Sequence, residues 1–275
     1  MRVTLWGTRG SLASAGPETV RYGGNTSCVE VRGADGTLLV LDAGTGIRRL
    51  SAAVGEARSI DVLLSHLHMD HIQGLGFFAP LYRPDIDVHV WGPPSTTQDL
   101  RSRLARYLSP PLFPIWLRDL PRLVLLDVPL GPFTIGELRI EAALVSHPGP
   151  TVGYRISDGR VTLAYIPDHE PALGVGSFPG DPAWTSGFDL AAGVDLLIHD
   201  AQYADEDYPV YVGWGHSSIG QAVAFAALAG VKRLVPFHHN PAYSDDAVDR
   251  LLEQARAQRP PFEIIPGTEG MTIDL

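Results

Sequence analysis

Ser65-His66-Leu67-His68-Met69-Asp70-His71 follows the apolar run Val62-Leu63-Leu64 and places four metal-ligand side chains within six residues at the end of a predicted strand. In extended backbone alternate side chains share a face, so His66 and His68 can reach one cation. Asp70 and His71 lie past the bend and can face a second. The chain carries ten histidines together with 29 glycines and 23 prolines. Histidine is the commonest metal ligand, and Gly and Pro cut a chain into short elements joined by tight loops.

Upstream of this stretch, Val3–Trp6 predicts a strand running into the loop Gly7–Gly10. Ser27–Arg32 and Thr37–Leu41 predict strands on either side of the turn Ala34-Asp35-Gly36. Gly44-Thr45-Gly46 opens a short helix through Ile47–Val54, and Asp61–Ser65 is the strand that delivers the histidines. Downstream, a helix is expected from near Ile72 to a break at Pro80, then a strand over Ile86–Trp91. A helix is expected within Ser95–Tyr107, capped by Ser95, Thr96 or Thr97. Strands follow over Leu123–Asp127, Leu138–Val145, Val152–Ile156 and Val161–Ile166, then a long loop over Gly174–Gly187. Asp195–His199 and Lys232–Pro236 predict strands, Ser217–Ala229 and Asp245–Ala257 helices, and Glu263–Pro266 with Met271–Leu275 a terminal hairpin. No repeat or linker interrupts this order, so one domain over residues 1–275 is expected. Clustered strands with intervening helices suggest an α/β fold in the form of an αββα sandwich, two mixed sheets with helices on the outer faces.

Composition narrows the function classes. With 45% hydrophobic and 19% charged residues, the chain of 275 residues is globular. Lys and Arg number 21 against 31 Asp and Glu, a net charge of −10. That balance opposes extended nucleic-acid binding, which draws its affinity from basic surface. A small anionic substrate remains compatible if a local cation receives it. The lone Cys28 forms no internal disulfide and no Cys-based zinc knot, which fits a reducing compartment. The start MRVTLWGTRGS lacks the apolar core of a secretion signal, and no apolar run approaches the roughly 20 residues of a membrane span. A cytoplasmic protein with no membrane partner is expected. The Gly-rich loops Gly7–Ser11 and Tyr22–Thr26 do not precede a helix in the phosphate-binding pattern, so a nucleotide cofactor is not expected.

The His-x-His-x-Asp-His pattern resembles the metallo-β-lactamase superfamily, and the resemblance extends over nearly the whole chain. It implies that Asp42 buttresses the histidine loop and that His147, in Val145-Ser146-His147-Pro148, is the third ligand of a first metal with His66 and His68. It implies a second metal on Asp70, His71 and His238, with Asp168 bridging both. His239, adjacent to His238, is the alternative ligand and otherwise an outer or substrate-facing residue. The cofactors implied are two divalent ions, zinc first, with manganese or iron as alternatives. Such a pair leaves room for a bridging water or hydroxide and lowers the pKa of that water from about 15.7 toward 7. His89 lies inside an alternating strand and reads as structural.

Leu197-Ile198-His199-Asp200-Ala201-Gln202, then Gly215-His216-Ser217-Ser218 and a helix, is similar to ribonuclease Z and its phosphodiesterase relatives. The resemblance implies a catalytic Asp200–His216 pair delivering a proton to the leaving oxygen, beside Asp70 in the metal site. Asp and Gln stand here where those enzymes carry Glu and Thr, and the shorter Asp arm bears on whether His216 is reached. The long tRNA-gripping arm of ribonuclease Z is absent, since His147 to Asp168 spans only a turn and two strands. The expected activity is therefore hydrolysis of a small phosphodiester or related phosphoester by the bridging hydroxide. The alternatives are a lactone or other carboxylic hydrolase using the same site, and a metal-retaining ligand-binding or regulatory module. Homodimers are common in the superfamily.

Substrate contacts are sought among Tyr203, Tyr208, Tyr211 and Trp214, between the Asp200 and His216 anchors, and at Asn25. The segment Ser95–Arg122, with Arg101, Arg103, Arg106, Arg118 and Arg122, is either a lid over the site or a solvated face. The loop Gly174–Gly187, with Phe178 and Trp184, is a second lid candidate.

Overall fold

The computed structural model describes residues 1–172 and 177–275. Its first sheet is laid down by β1 (Arg2–Gly7), β2 (Cys28–Arg32), β3 (Leu38–Leu41), β4 (Ser59–Leu63), β5 (Asp87–Gly92) and β6 (Leu123–Asp127). Between them lie the short helices α1 (Ile47–Leu50), α2 (Met69–Ile72) and α3 (Leu100–Leu104). The second sheet is built by β7 (Gly131–Ile135), β8 (Leu138–Leu144), β9 (Val152–Ser157) and β10 (Thr162–Ile166). After α4 (Phe188–Ala191) it gains β11 (Leu196–Asp200), after α5 (Ile219–Ala229) β12 (Arg233–Phe237), and after α6 (Asp245–Ala257) β13 (Glu263–Ile264). The last strand, β14 (Thr272–Asp274), returns to the first sheet beside β1. Each sheet has seven strands, ordered β14-β1-β2-β3-β4-β5-β6 and β13-β12-β11-β10-β9-β8-β7.

Both sheets are mixed. β3 to β6 run parallel in the first and β10 to β13 in the second, and the flanking pairs are antiparallel. In β3, Leu39 and Leu41 face the other sheet while Leu38 and Val40 face outward, and all four are buried. A strand buried on both faces reads as an unbroken apolar run, as this one does. The core between the sheets joins Leu5, Val29 and Leu41 to Tyr154, Ile198 and Phe237. Outside the first sheet α1 and α3 contribute Ile47, Leu50, Leu100 and Leu104 to a second core. Outside the second sheet α4, α5 and α6 contribute Leu190, Phe225 and Leu252 to a third. The architecture is the expected αββα sandwich.

Several local expectations are corrected. The terminal segments form no hairpin: β13 pairs parallel with β12 and β14 antiparallel with β1, because each edge offered an unfilled ladder. Only Leu100–Leu104 is helical within Ser95–Tyr107, and its cap is Asp99, whose carboxylate accepts from the Ser102 amide. The region after Ile72 is not one helix, since α2 ends there and two 3-10 turns, Leu75–Phe77 and Ala79–Tyr82, carry the chain past Pro80. β7 and α4 were not expected. Of the long loop over Gly174–Gly187, residues 174–176 lie outside the described residues; the remainder holds a 3-10 turn at Pro182–Trp184. No helix among the described residues is long and apolar enough to cross a membrane.

The topology positions the chemistry. Asp42, His66, Asp168, Asp200 and His238 all lie at or just past the carboxyl ends of parallel strands β3, β4, β10, β11 and β12. In open α/β sheets this is the edge where ligands bind. Here two such edges, one per sheet, meet at one rim.

Candidate metal centre

His66, His68, His147 and Asp168 offer ligand atoms all within 4.8 Å of one another, as do Asp70, His71, Asp168 and His238. The two groups share Asp168. His68 Nδ1 and His147 Nε2 are 3.2 Å apart, and His71 Nε2 and His238 Nε2 are 3.3 Å apart. Two nitrogens bound at 2.0–2.1 Å to one tetrahedral zinc are separated by about 3.3 Å. Asp70 Oδ2 lies 3.0 Å from His238 Nε2 and 3.3 Å from His71 Nε2. His66 Nε2 is enclosed and has no hydrogen-bond partner, as a nitrogen aimed at a cation would be. The donor set, imidazoles with two buried carboxylates, suits divalent ions, and the residues present fit them.

Outer partners fix three of the rings. The His71 Nδ1 to Asp42 Oδ2 distance is 2.8 Å, His147 Nδ1 to the Gly215 carbonyl 2.7 Å, and His238 Nδ1 to Gln202 Oε1 2.8 Å. A carboxylate or carbonyl oxygen only accepts, so in each case Nδ1 carries the proton and Nε2 presents its lone pair to the site. Asp42 also accepts from the Ser65 amide, the Ser65 hydroxyl and the Tyr165 hydroxyl, at 2.7, 2.8 and 2.8 Å. It does so from left-handed backbone, φ 60°, and His238 is held at φ 61°. Such strain persists only where the surroundings over-determine it.

The electrostatics favour cations. Burial depresses the pKa of His66, His68 and His147, which keeps these ligands neutral. Burial opposes charge on Asp70 and Asp168 too, but the neighbouring histidines hold both carboxyls well below their ordinary range. His71 is raised despite its burial because Asp168, Asp70 and Asp42 surround it, a measure of how strongly this pocket attracts positive charge.

Beside the second group, His216 Nδ1 donates to Asp200 Oδ2 at 2.7 Å. The short Asp arm reaches because Asp200 ends β11 and the His169 and Gln202 amides also bond its carboxylate, at 3.0 and 2.9 Å. Burial works against protonation of His216, but Asp200, with Asp168 and Asp70, outweighs it and the pKa is pushed up to about 9. The Gly-His-Ser-Ser segment has one task per residue. Gly215 sits at φ 87°, where a Cβ would come within 2.6 Å of His147 Nδ1. Ser217 Oγ donates to the His169 carbonyl, and Ser218 caps α5 in a capping box with Gln221.

Other expected residues fall elsewhere. His239 is buried edge-on to Tyr22 and its pKa falls to about 3 through burial; it belongs to neither ligand group. Asn25 turns its amide to Glu269 rather than to the ligands. Tyr203 is buried, stacked on Tyr211 at 4.3 Å behind His216, whereas Trp214 is exposed at the rim. His199 is a packing residue, bonded to His169 and stacked on Phe225. Arg103 and Arg106 line a cleft of about 680 Å³ that opens beside His66 and His68, while Arg101, Arg118 and Arg122 do not.

Three supporting residues escaped the sequence reading. Gln202 orients His238. Ser11, tied down by the buried Arg9–Asp245 pair at 3.1 Å, donates its amide to Asp70 Oδ2 at 2.8 Å. Glu170 is fully buried; its carboxylate accepts from the Gly213 and Gly215 amides at 2.9 Å, and its own amide donates to the Ser146 carbonyl at 3.0 Å. It therefore clamps the His147 loop to the His216 loop. Its signal was present in the run Asp168-His169-Glu170 just past an apolar strand, three ionisable residues where one was needed.

Comparison with known proteins identifies the family. A family profile described as "Beta-lactamase superfamily domain" matches residues 37–239. The chain belongs to this family. It is a hydrolase of the metallo-β-lactamase fold, carrying His/Asp clusters suited to divalent metals. A ribonuclease Z from Nocardia farcinica is 30% identical over 267 residues, covering 82% of this chain and 83% of that one. The metallo-β-lactamase fold protein YhfI from Bacillus subtilis superposes with a TM-score of 0.74 at 22% identity, over 99% of both chains. A diphosphatase from the PhnP family superposes with a TM-score of 0.71 at 18% identity, over 100% of this chain and 97% of that one.

Proposed function

We propose that this superfamily member is a dinuclear phosphodiesterase acting on a small substrate, with one divalent ion held by His66, His68 and His147 and the other by Asp70, His71 and His238. Asp168 would serve both. Two such ions, when bound, supply a water of lowered pKa as nucleophile and offset the charge of the phosphoryl oxygens. The observation that carries the phosphoester reading is the His216–Asp200 pair at 2.7 Å beside the second ligand group. Phosphodiester cleavage expels an alkoxide, which needs a proton as the P–O bond breaks. The Asp200 carboxylate favours the protonated form of His216, and its Nε2, left over from the Asp200 bond, is the atom that would donate the proton. Asp200 sets the ring's tautomer and balances the charge.

The ribonuclease Z relative supports the same bond type, since a ribonuclease cleaves phosphodiesters. Two features support a small substrate over a folded RNA. The net charge is −10, and His147 connects to Asp168 only through the paired strands β9 and β10, with no projecting arm. The test is turnover by the zinc- or manganese-loaded protein on methyl p-nitrophenyl phosphate, bis-p-nitrophenyl phosphate, a precursor tRNA and a lactone panel. Small diesters are expected to be cleaved and His68→Ala to abolish it. Cleavage of lactones alone, or of precursor tRNA in preference to every small diester, would reject the proposal.

A further inference from the structure

The cleft of about 680 Å³ lies in the size range of small-molecule sites, roughly 300–1,000 Å³. One wall is His66 and His68, so it opens directly onto the first ligand group. The rest of its lining is mostly apolar, with Leu67, Met69 and Ile72 from the histidine loop and α2, Pro148 and Pro150 beyond His147, and Leu112, while Ser95, Thr97 and Gln98 add polar groups. Met69 is 48% exposed and Leu112 69% exposed, a costly arrangement unless something covers them. Two arginines also line the cleft. Arg103 is engaged in the fold, donating to the Pro93 carbonyl at 2.7 Å and lying 3.6 Å from Asp127. Arg106 is exposed and its guanidinium has no hydrogen bond or ion pair among the described residues. In a chain of net charge −10, a free cation over an apolar cleft beside a cation-binding centre selects for a particular ligand shape.

Resting on the phosphodiester reading above, we propose that this cleft binds the ester arm that stays on phosphorus, and that the arm is an apolar chain or ring ending in a second anionic group. The apolar body would cover Met69 and Leu112, and the distal anion would pair with Arg106. His216 assigns the arm. It does not line the cleft, and its ring lies against His147 and His238, at 5.0 and 5.1 Å between ring centres. The alkoxide that takes the proton of His216 therefore leaves on the other side. The reaction is hydrolysis: a water oxygen joins phosphorus, the P–O bond to the departing alcohol breaks, and that alcohol takes up the proton. The product left in the cleft is a monoester that is anionic at both ends.

The test is calorimetric binding of three phosphonates to the metal-loaded protein, so that it does not depend on turnover: methylphosphonate, 4-phenylbutylphosphonate and 4-(4-carboxyphenyl)butylphosphonate. Burial of the phenylbutyl group predicts at least about tenfold tighter binding than methyl. The carboxylate predicts a further gain of about threefold to fivefold from a solvent-exposed pair with Arg106. Leu112→Asp should remove the first gain and Arg106→Gln the second, each leaving methylphosphonate unchanged. Three equal affinities, or a variant that shifts all three alike, would overturn the inference. So would conversion of a dimer to a monomer by Leu112→Asp in light scattering, which would show that a second copy of the chain covers this face. Methyl p-nitrophenyl phosphate turnover in the same preparation separates the two claims. Ordered binding without turnover rejects the phosphodiesterase and keeps the subsite; turnover with equal binding does the reverse.

Discussion

Replacing Asp200 by Asn removes the carboxylate that keeps His216 protonated, while Asn retains a carbonyl for the Gln202 amide. With a pKa of about 9, roughly nine-tenths of His216 carries its proton at pH 8. At the ordinary histidine value of about 6.5 only about 3% does. The active fraction at pH 8 therefore falls by about 30-fold, a little under the 10²–10⁴ that a general acid typically supplies. The assay is kcat/KM against pH on two diesters that differ only in leaving group, an alkyl alcohol and p-nitrophenol. For the alkyl ester the basic limb should move down by more than two pH units in Asp200→Asn. For p-nitrophenolate, a stable anion that needs no proton, the loss should stay below about threefold. Bound cations would lower the His216 pKa in both proteins, so the displacement between them is the predicted quantity. The same pair predicts a stability effect of definite sign. A raised histidine pKa contributes stability that is fully present below about pH 6.5 and is lost as pH rises through about 9. A shift from 6.5 to about 9 corresponds to about 3 kcal/mol. Asp200→Asn should therefore be most destabilised near pH 6 and approach the wild type above pH 9. Equal losses on the two substrates, or an unmoved basic limb, would refute the proton-donor role.

Asp42→Ala leaves Ser65, His71 and Tyr165 without their buried acceptor. At 1–3 kcal/mol per stranded donor it should cost about 4 kcal/mol or more, read by urea denaturation, and weaken metal binding at His71. Glu170→Ala should free the Gly213–Gly215 amides, lowering kcat and the zinc affinity of the His147 site together by about 10- to 100-fold. Glu170→Gln, which keeps one acceptor oxygen, should recover part of both; an effect on stability alone would make Glu170 merely structural. Removing metal with a chelator should lower thermal stability, because an ion at 1,000 times its Kd contributes about 4 kcal/mol, and divalent metal should restore it.

The ligand loop was legible because its chemistry is contiguous: one strand and one bend carry His66, His68, Asp70 and His71. The sandwich followed from clustered strands with helices between them under the layer rules; that strands such as Leu38–Leu41 are buried on both faces is visible only in the fold. What the sequence concealed was long-range partnership. Nothing local separates a terminal hairpin from two strands that each complete a different sheet, as β13 and β14 do. The Ser95–Tyr107 pattern overstates its helix because Asp99 caps four residues after Ser95. The outer partners were hidden for a like reason. Gln202 was visible only as a departure from the family's Thr, yet it is the residue that orients His238, 36 positions away. Glu170 reaches across 43 and 45 positions to Gly213 and Gly215. Of the adjacent histidines, both follow the same strand; the left-handed turn at His238 brings that ring to the ligands and leaves His239 packed behind.

The central claim is a two-ion centre that drives phosphodiester hydrolysis. It is tested most directly by titrating the metal-free protein with zinc or manganese while recording bound metal per chain and turnover of methyl p-nitrophenyl phosphate. The account predicts that turnover rises to its maximum as the second equivalent binds, and that His68→Ala and His238→Ala each hold one ion and are inactive. Full activity with one ion per chain, or retained activity in either variant, would contradict it.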